Sequence, residues 1–349
     1  MNPIRHLVVA TVAGLVAGAA LASAARGQAM IDRIHRRSGI DSGQIVGITP
    51  LDVTISKNGV QSTIAAEDIE FITFAGEPDG LNSARQALAA GRPADALKTL
   101  DGITVGGGDR VEVQTDVEFY RALAAAQLAL AGQGELADAT AAVRAFMASR
   151  RSSFHVPQAI QLAGDLLGAG GDYAAARTEY AKLAKAKSPY YKLLSALLVG
   201  EAWQAEGKYD ESLAEFDNVL RSPERGALFD PLKAAAALDR AVSQAGGGDA
   251  AEAARAIGEI IAKTDPEDAS SLARAYNALG DCYLKAGDNQ AALFAFLHVD
   301  LLYDDNADAH AKALHELVAL WRAAGKDSRA QDAAQKLADK YPNSRWANN

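Results

Sequence analysis

GDLLGAGGDYAAARTEYAKL at residues 164–183, GEAWQAEGKYDESLAEFDNV at 200–219 and GDCYLKAGDNQAALFAFLHV at 280–299 carry one pattern. Each opens on a small residue, steps three positions to a bulky one, turns at a glycine, and then sets a small residue four positions before an aromatic. In the first stretch these are Gly164, Leu167, Gly171, Ala176 and Tyr180; in the second, Gly200, Trp203, Gly207, Ser212 and Phe216; in the third, Gly280, Tyr283, Gly287, Ala292 and Phe296. The first two start 36 residues apart and the third 80 further on, room for two periods of about 40. Apolar residues at three- and four-residue steps mark amphipathic helices. A repeat of this length marks helix pairs that cannot bury their apolar faces singly and so stack on one another.

Outward from these copies the same grammar holds over 77–347 and gives about seven helix pairs, with turns centred on Gly91, Gly134, Gly171, Gly207, Gly248, Gly287 and Gly325. A glycine belongs at each because the chain leaves the first helix in a left-handed conformation that only glycine adopts cheaply. Longer connections fall at Gly102 to Arg110 and Ser222 to Phe229, and the run Gly106 to Gly108 is expected to be a hinge. Gly246 to Gly248 is expected to be a helix C-cap.

The three well-formed copies resemble the tetratricopeptide-repeat family. The small positions of its first helix are filled by Gly164, Gly200 and Gly280, with Leu167, Trp203 and Tyr283 beside them; the aromatic of its second helix is filled by Tyr180, Phe216 and Phe296. The last pair keeps Trp321 and Gly325, whereas the pair around Gly248 departs from the pattern, with Ala241 and Gln244 in its first helix. The resemblance implies a mainly α, solenoid fold in which these residues serve packing, and a non-catalytic role in holding a protein or peptide. A subgroup that grips chaperone tails sets Lys and Asn where this chain has Gln161 and Asp165, which argues against that function.

Residues 41–76 speak differently. Four segments at 44–48, 52–56, 61–64 and 69–74 are rich in β-branched residues and alternate in polarity, and Asn58-Gly59 is a strong two-residue hairpin signal. They predict a small antiparallel β domain, bent in the manner of an Sm or SH3 sheet, that must curl into a barrel or pack on the first helices because so few residues bury little alone. Asp41-Ser42-Gly43 reads as a turn into the first strand. Residues 25–40 read as a linker. Before it, Arg5 and His6 precede an apolar run from Leu7 to Ala22, and Ala22-Ser23-Ala24 supplies a small-x-small cleavage site. Residues 1–24 therefore predict a signal peptide, or else an uncleaved anchor, and export to the periplasm or cell envelope of a bacterium.

Several functions are excluded by what the chain contains. With a formal charge of −9 and no long basic run, it lacks the footprint of a nucleic-acid binder. One cysteine, Cys282, allows neither an intrachain disulfide nor a multi-cysteine metal site. The single Asp-Ser-Gly triplet lacks the second copy that an aspartic protease needs. His310 and His315 are five apart, so they leave different helix faces, and His155 and His298 stand alone. No catalytic residue, cofactor or metal is expected.

The working surface of such a stack is its concave face, lined by first helices. Arg274, Asn277, Asp281 and Lys285 follow steps of three and four on one face, and Lys312, His315 and Arg322 continue it on the next first helix. Gln158, Gln161, Asp165, Glu201 and Gln204 line it earlier. Such a mixed-charge groove suits a protein or peptide partner. The alternative from another class is a self-associating or membrane-anchored structural component, touching the membrane only through an uncleaved N-terminal segment.

Overall fold

The computed structural model describes residues 31–342, 344, 346 and 347. The leader expected at 1–24 lies outside the described residues, as do the first residues of the linker.

The β unit has five strands: β1 (Asp32–Arg36), β2 (Gly39–Ile48), β3 (Asp52–Lys57), β4 (Val60–Ala65) and β5 (Ile69–Thr73). They form one antiparallel sheet in the order β4-β3-β2-β1-β5. Two sequence readings are corrected. The stretch assigned to a linker contains β1, and Asp41-Ser42-Gly43 is not a turn but lies inside β2, paired with β1. The first half of β2 pairs with β1 and its second half with β3. The partner changes at Gly43, where a Cβ would stand 2.5 Å from the Ser56 carbonyl oxygen, and the register with β3 shifts between Ile45 and Gly47. The β3–β4 hairpin turns at Asn58 and Gly59, both with positive φ (53° and 81°), as a two-residue turn of the right twist requires.

Fourteen α-helices follow among the described residues, in seven antiparallel pairs: α1 (Asp79–Ala89) with α2 (Pro93–Asp101), α3 (Val111–Leu130) with α4 (Leu136–Ser149), α5 (Val156–Ala169) with α6 (Tyr173–Tyr180), α7 (Pro189–Ala205) with α8 (Tyr209–Arg221), α9 (Asp230–Gly246) with α10 (Ala250–Lys263), α11 (Ala269–Lys285) with α12 (Asn289–Leu302) and α13 (Ala307–Ala323) with α14 (Asp327–Lys340). At Gly171, Gly207, Gly287 and Gly325 the backbone is left-handed, and the following N–H donates to the carbonyl of Leu167, Trp203, Tyr283 or Trp321. The bulky residue of the pattern thus marks where the helix is tied off. In the second pair the left-handed residue is Gly132 rather than Gly134, because the same bond forms from Gln133 to Leu128 and leaves extra residues before α4.

First helices pack on first helices, α1 on α3, α3 on α5, α7 on α9, α9 on α11 and α11 on α13, whereas second helices of successive pairs make no comparable contact among the described residues. A stack joined more closely along one side curves toward it, so the first helices lie inside the curve. The β unit does not hang free. Ile34, Val53, Ile72 and Phe74 share one continuous core with Leu81, Phe119 and Leu166, which is how so small a sheet hides its apolar face.

Buried ion pairs fix this joint. The Asp32 carboxylate, fully enclosed, accepts from the N–H groups of Ile45 and Ala75 at 2.9 Å and from Arg110 at 2.6 Å. Arg85 donates to both oxygens of Glu77 (2.6 and 2.9 Å) and to Asp116 (2.8 Å), which meets His155 Nε2 at 2.9 Å. The Gly106 to Gly108 run expected as a hinge closes as a turn: Gly106 N–H donates to the Asp109 carboxylate and Gln114 donates back to the Gly106 carbonyl. The next residue after that turn is Arg110, which Asp32 holds.

Candidate functional site

The repeat positions explain how the first-helix face is built. A Cβ on Gly164, Gly200 or Gly280 would fall 2.2, 2.6 or 2.5 Å from the ring of Tyr180, Phe216 or Phe296. The glycine lets the aromatic of the second helix lie against the first helix's backbone, and this sets the rotation of each pair. The bulky residues three positions on are less enclosed than packing anchors would be. Trp203 is half-buried, with the Arg177 guanidinium 3.4 Å and the Lys208 ammonium 4.8 Å from its ring centroid; Trp321 carries Arg329 at 4.7 Å. Leu167 and Tyr283 are also half-buried. Trp203 thus lies at a seam under long cationic side chains, whereas Trp321 belongs to the buried core with Arg329 over its ring.

The glycine rotation turns the next residue to the face. An acid follows the glycine in each well-formed copy: Asp165, Glu201 and Asp281. Asp165 accepts a hydrogen bond from Tyr180 Oη at 2.7 Å, and burial pushes its carboxyl up to about 6 against that bond. Glu201 on α7 faces Asp239 on α9, and burial together with that neighbouring carboxylate raises its pKa well above the usual range. Arg274 on α11 approaches Asp239 at 3.5 Å, and Asp281 on α11 pairs with Lys312 on α13 at 2.5 Å. Gln204 donates to the Asp239 carbonyl (2.6 Å) and to Ser243 Oγ (2.8 Å). Polar groups of four successive first helices, α7 to α13, therefore form one row.

Of the expected site residues, the structure brings Arg274, Asp281 and Lys312 into this row. Asn277 does not line an open groove; it is buried, and its Nδ2 donates to the Ala309 carbonyl at 2.8 Å, because its place on α11 faces α13. Lys285 turns to the Tyr209 ring, 5.4 Å away, at the turn edge of the stack. His315 meets the Trp346 carbonyl at 2.9 Å, and with exposed Arg322 it lines a pocket that also includes Trp346. The chain's last described residues thus lie along α13, and the Trp346 ring also stands 5.8 Å from the Lys312 ammonium. At the other end, exposed Gln158 and half-buried Gln161 line a cavity of about 250 Å³ together with Arg37, Glu67, Tyr190 and Tyr191, and Glu67 accepts from Ser188 Oγ at 2.5 Å. The β unit thus stands beside the start of α5 across this cavity, and the polar row runs from Asp165 onward.

Asp239 had no place in the sequence reading. It belongs to the pair that departs from the repeat pattern, so alignment to the other copies does not single it out. The recurring acid after the glycine was readable and would have marked the row. Two histidines that the sequence leaves without a role serve structure: His310 is enclosed between Asp300 and Tyr341, and His298 stacks on Tyr276. The Cys282 thiol is buried, and burial pushes it up to about 11. No described helix is long and apolar enough to cross a membrane.

The fold is tetratricopeptide-like. A tetratricopeptide repeat protein from Parabacteroides merdae superimposes with a TM-score of 0.53 at 15% identity, over 78% of this chain and 98% of that one. A Rap protein complexed with competence and sporulation factor superimposes with a TM-score of 0.52 at 13% identity, over 76% of each chain. No family model and no curated protein matches the sequence.

Proposed function

We propose that this chain is an exported, non-catalytic scaffold that holds a segment of another protein along the first-helix face between α7 and α13. One observation carries the reading: charged groups of four successive first helices converge there, in Glu201, Asp239, Arg274, Asp281 and Lys312. A curved row of this kind recognises an extended segment. The complex of the Rap protein supports a binding role for the fold. The strand order β4-β3-β2-β1-β5, with a 3-10 turn before β5, supports an Sm-like reading of the β unit as an end cap. The basic and apolar start of the sequence supports export.

Photo-crosslinking tests the reading. A crosslinkable residue at Gln204 or Lys312, on the inner face, is expected to trap a discrete partner in the envelope fraction, and one at Glu211 or Arg255, on second helices, is not. Equal trapping from both faces contradicts it.

A second reading rests on α12, where Phe294, Leu301 and Leu302 are 54, 68 and 63% exposed. Such a patch favours self-association, and sedimentation of Phe294→Ser against the unaltered chain tests it: a shift from assembly to monomer supports self-association, and a monomer in both removes it.

A further inference from the structure

Asp239 stands where the equivalent residues of neighbouring first helices carry no charge. Nine residues before the left-handed turn glycine, α5 has Leu162, α7 has Leu198 and α11 has Ala278, all buried. In α9 the same place holds Asp239, which is only 9% exposed. A carboxylate there must be compensated from its own surroundings. They supply little. Arg274 of α11 comes within 3.5 Å of Oδ2 on a side chain that is itself 47% exposed, and it makes no hydrogen bond to that oxygen.

The other group against the Asp239 side chain is the carboxyl of Glu201 on α7, which lies in hydrogen-bond contact with it. Two ionised carboxylates cannot make such a bond, because each only accepts; one of them must keep a proton and donate it. Asp239, beside Arg274, is the better place for the negative charge, and Glu201 for the proton. The other charged group facing them gives no relief. Asp165 on α5 adds negative charge near Glu201, and Tyr180 of α6 already donates to it at 2.7 Å. Gln204, also on α7, donates to the Asp239 main-chain carbonyl and to Ser243 rather than to either carboxyl. Burial and the Asp239 charge hold the Glu201 carboxyl up at about 8, with Arg274 pulling the other way.

We propose that Glu201 and Asp239 share a single proton that ties α7 to α9 at neutral pH, and that its release in mild alkali pushes these helices apart and straightens the first-helix face. Each helix pair of a stack rests on its neighbours alone, so a change at one joint redirects every pair beyond it. Here α9 to α14 swing relative to α1 to α8. Glu201 is half-buried, so its proton exchanges with solvent while the fold stays closed. Because Glu201 keeps the proton to a higher pH folded than unfolded, the contribution of this contact to stability declines as pH rises from about 4 through about 8 and is level above.

The test joins an infrared titration of the full chain, which reads the carbonyl stretch of protonated carboxyls, to pulsed EPR between spin labels at exposed Gln158 on α5 and Arg322 on α13. At pH 7 a band of about one carboxyl is expected, fading with a midpoint near 8. Glu201→Gln, whose amide donates to Asp239 at any pH, should remove it. Asp239→Asn should remove the same band, because Glu201 without its acidic neighbour ionises in the usual range. The label separation is expected to lengthen between pH 7 and pH 9 in the unaltered chain and to stay fixed in Glu201→Gln. A band that Glu201→Gln removes and Asp239→Asn keeps would show a carboxyl that is buried but shares nothing, and overturns the proposal. So does a separation indifferent to pH, or a midpoint in the ordinary carboxylate range. If Glu201→Gln melts early, Asp239→Asn decides against the unaltered chain: loss of the band supports the shared proton, and an undiminished band overturns it.

Discussion

Gly280 and Phe296 are in such close contact that a Cβ on the glycine would stand 2.5 Å from the ring Cζ. The aromatic has no room to retreat, since it is fully buried between α11, α12 and α13. Gly280→Ala therefore sets a gain in helix propensity of about 1 kcal/mol against an overpacking cost of roughly 1–3 kcal/mol. The expected result is a net loss of about 1–2 kcal/mol in chemical denaturation, largely recovered when Phe296→Leu is added to the alanine variant. Stabilisation by Gly280→Ala alone would show that the ring does not fix the pair.

Trp203 sits under Arg177, whose guanidinium also reaches Glu206. Half-buried at a seam, it contributes less than a core aromatic. Trp203→Ala is expected to cost about 2 kcal/mol, and Arg177→Ala should remove about half of that effect when the two are combined in a double-mutant cycle. Additivity of the two losses would mean that the ring and the guanidinium act independently.

Arg85 joins the segment after β5 to α3 through Glu77 and Asp116, with side-chain exposures of 5, 7 and 1%. Arg85→Met keeps the volume but strands two carboxylates in the interior. A loss of roughly 3–5 kcal/mol is expected, and it should appear as early protease cleavage at the joint between the β unit and α1. A change under about 1 kcal/mol would show that the network does not hold the two together.

Asp165 has a folded-state carboxyl raised to about 6 by burial. An acid whose pKa is higher folded than unfolded keeps its proton longer in the native state, so stability is present at low pH and declines as pH rises from about 4 through about 6. Asp165→Asn leaves an oxygen to accept from Tyr180 and removes the charge. It is expected to raise the melting temperature at pH 8 and leave it unchanged near pH 4; the opposite order would contradict the burial.

The helix pairs were legible wherever a glycine, a bulky residue and an aromatic recur at fixed spacing, because Gly164, Gly200 and Gly280 each answer one steric demand. The β3–β4 hairpin was legible in Asn58-Gly59 for the same reason. β1 was not. Its sequence, Asp-Arg-Ile-His-Arg, is charged, and only the donors that Asp32 finds on Ile45, Ala75 and Arg110 make it an inner strand. Asn277 misled in the opposite sense: helical spacing put it on the polar stripe, but the close approach of α13 turned that position into a contact between helices. The docking of the β unit, whose Ile34, Ile72 and Phe74 share a core with Leu81, Phe119 and Leu166, depends on residues far apart in the chain, and local periodicity carries no trace of it.

Hydrogen–deuterium exchange of the chain alone and with its captured partner tests the central claim most directly. Added protection is predicted along α7, α9, α11 and α13, strongest around Glu201, Asp239 and Arg274, with α8, α10 and α12 unchanged. Protection confined to the second helices or to the β unit would contradict it.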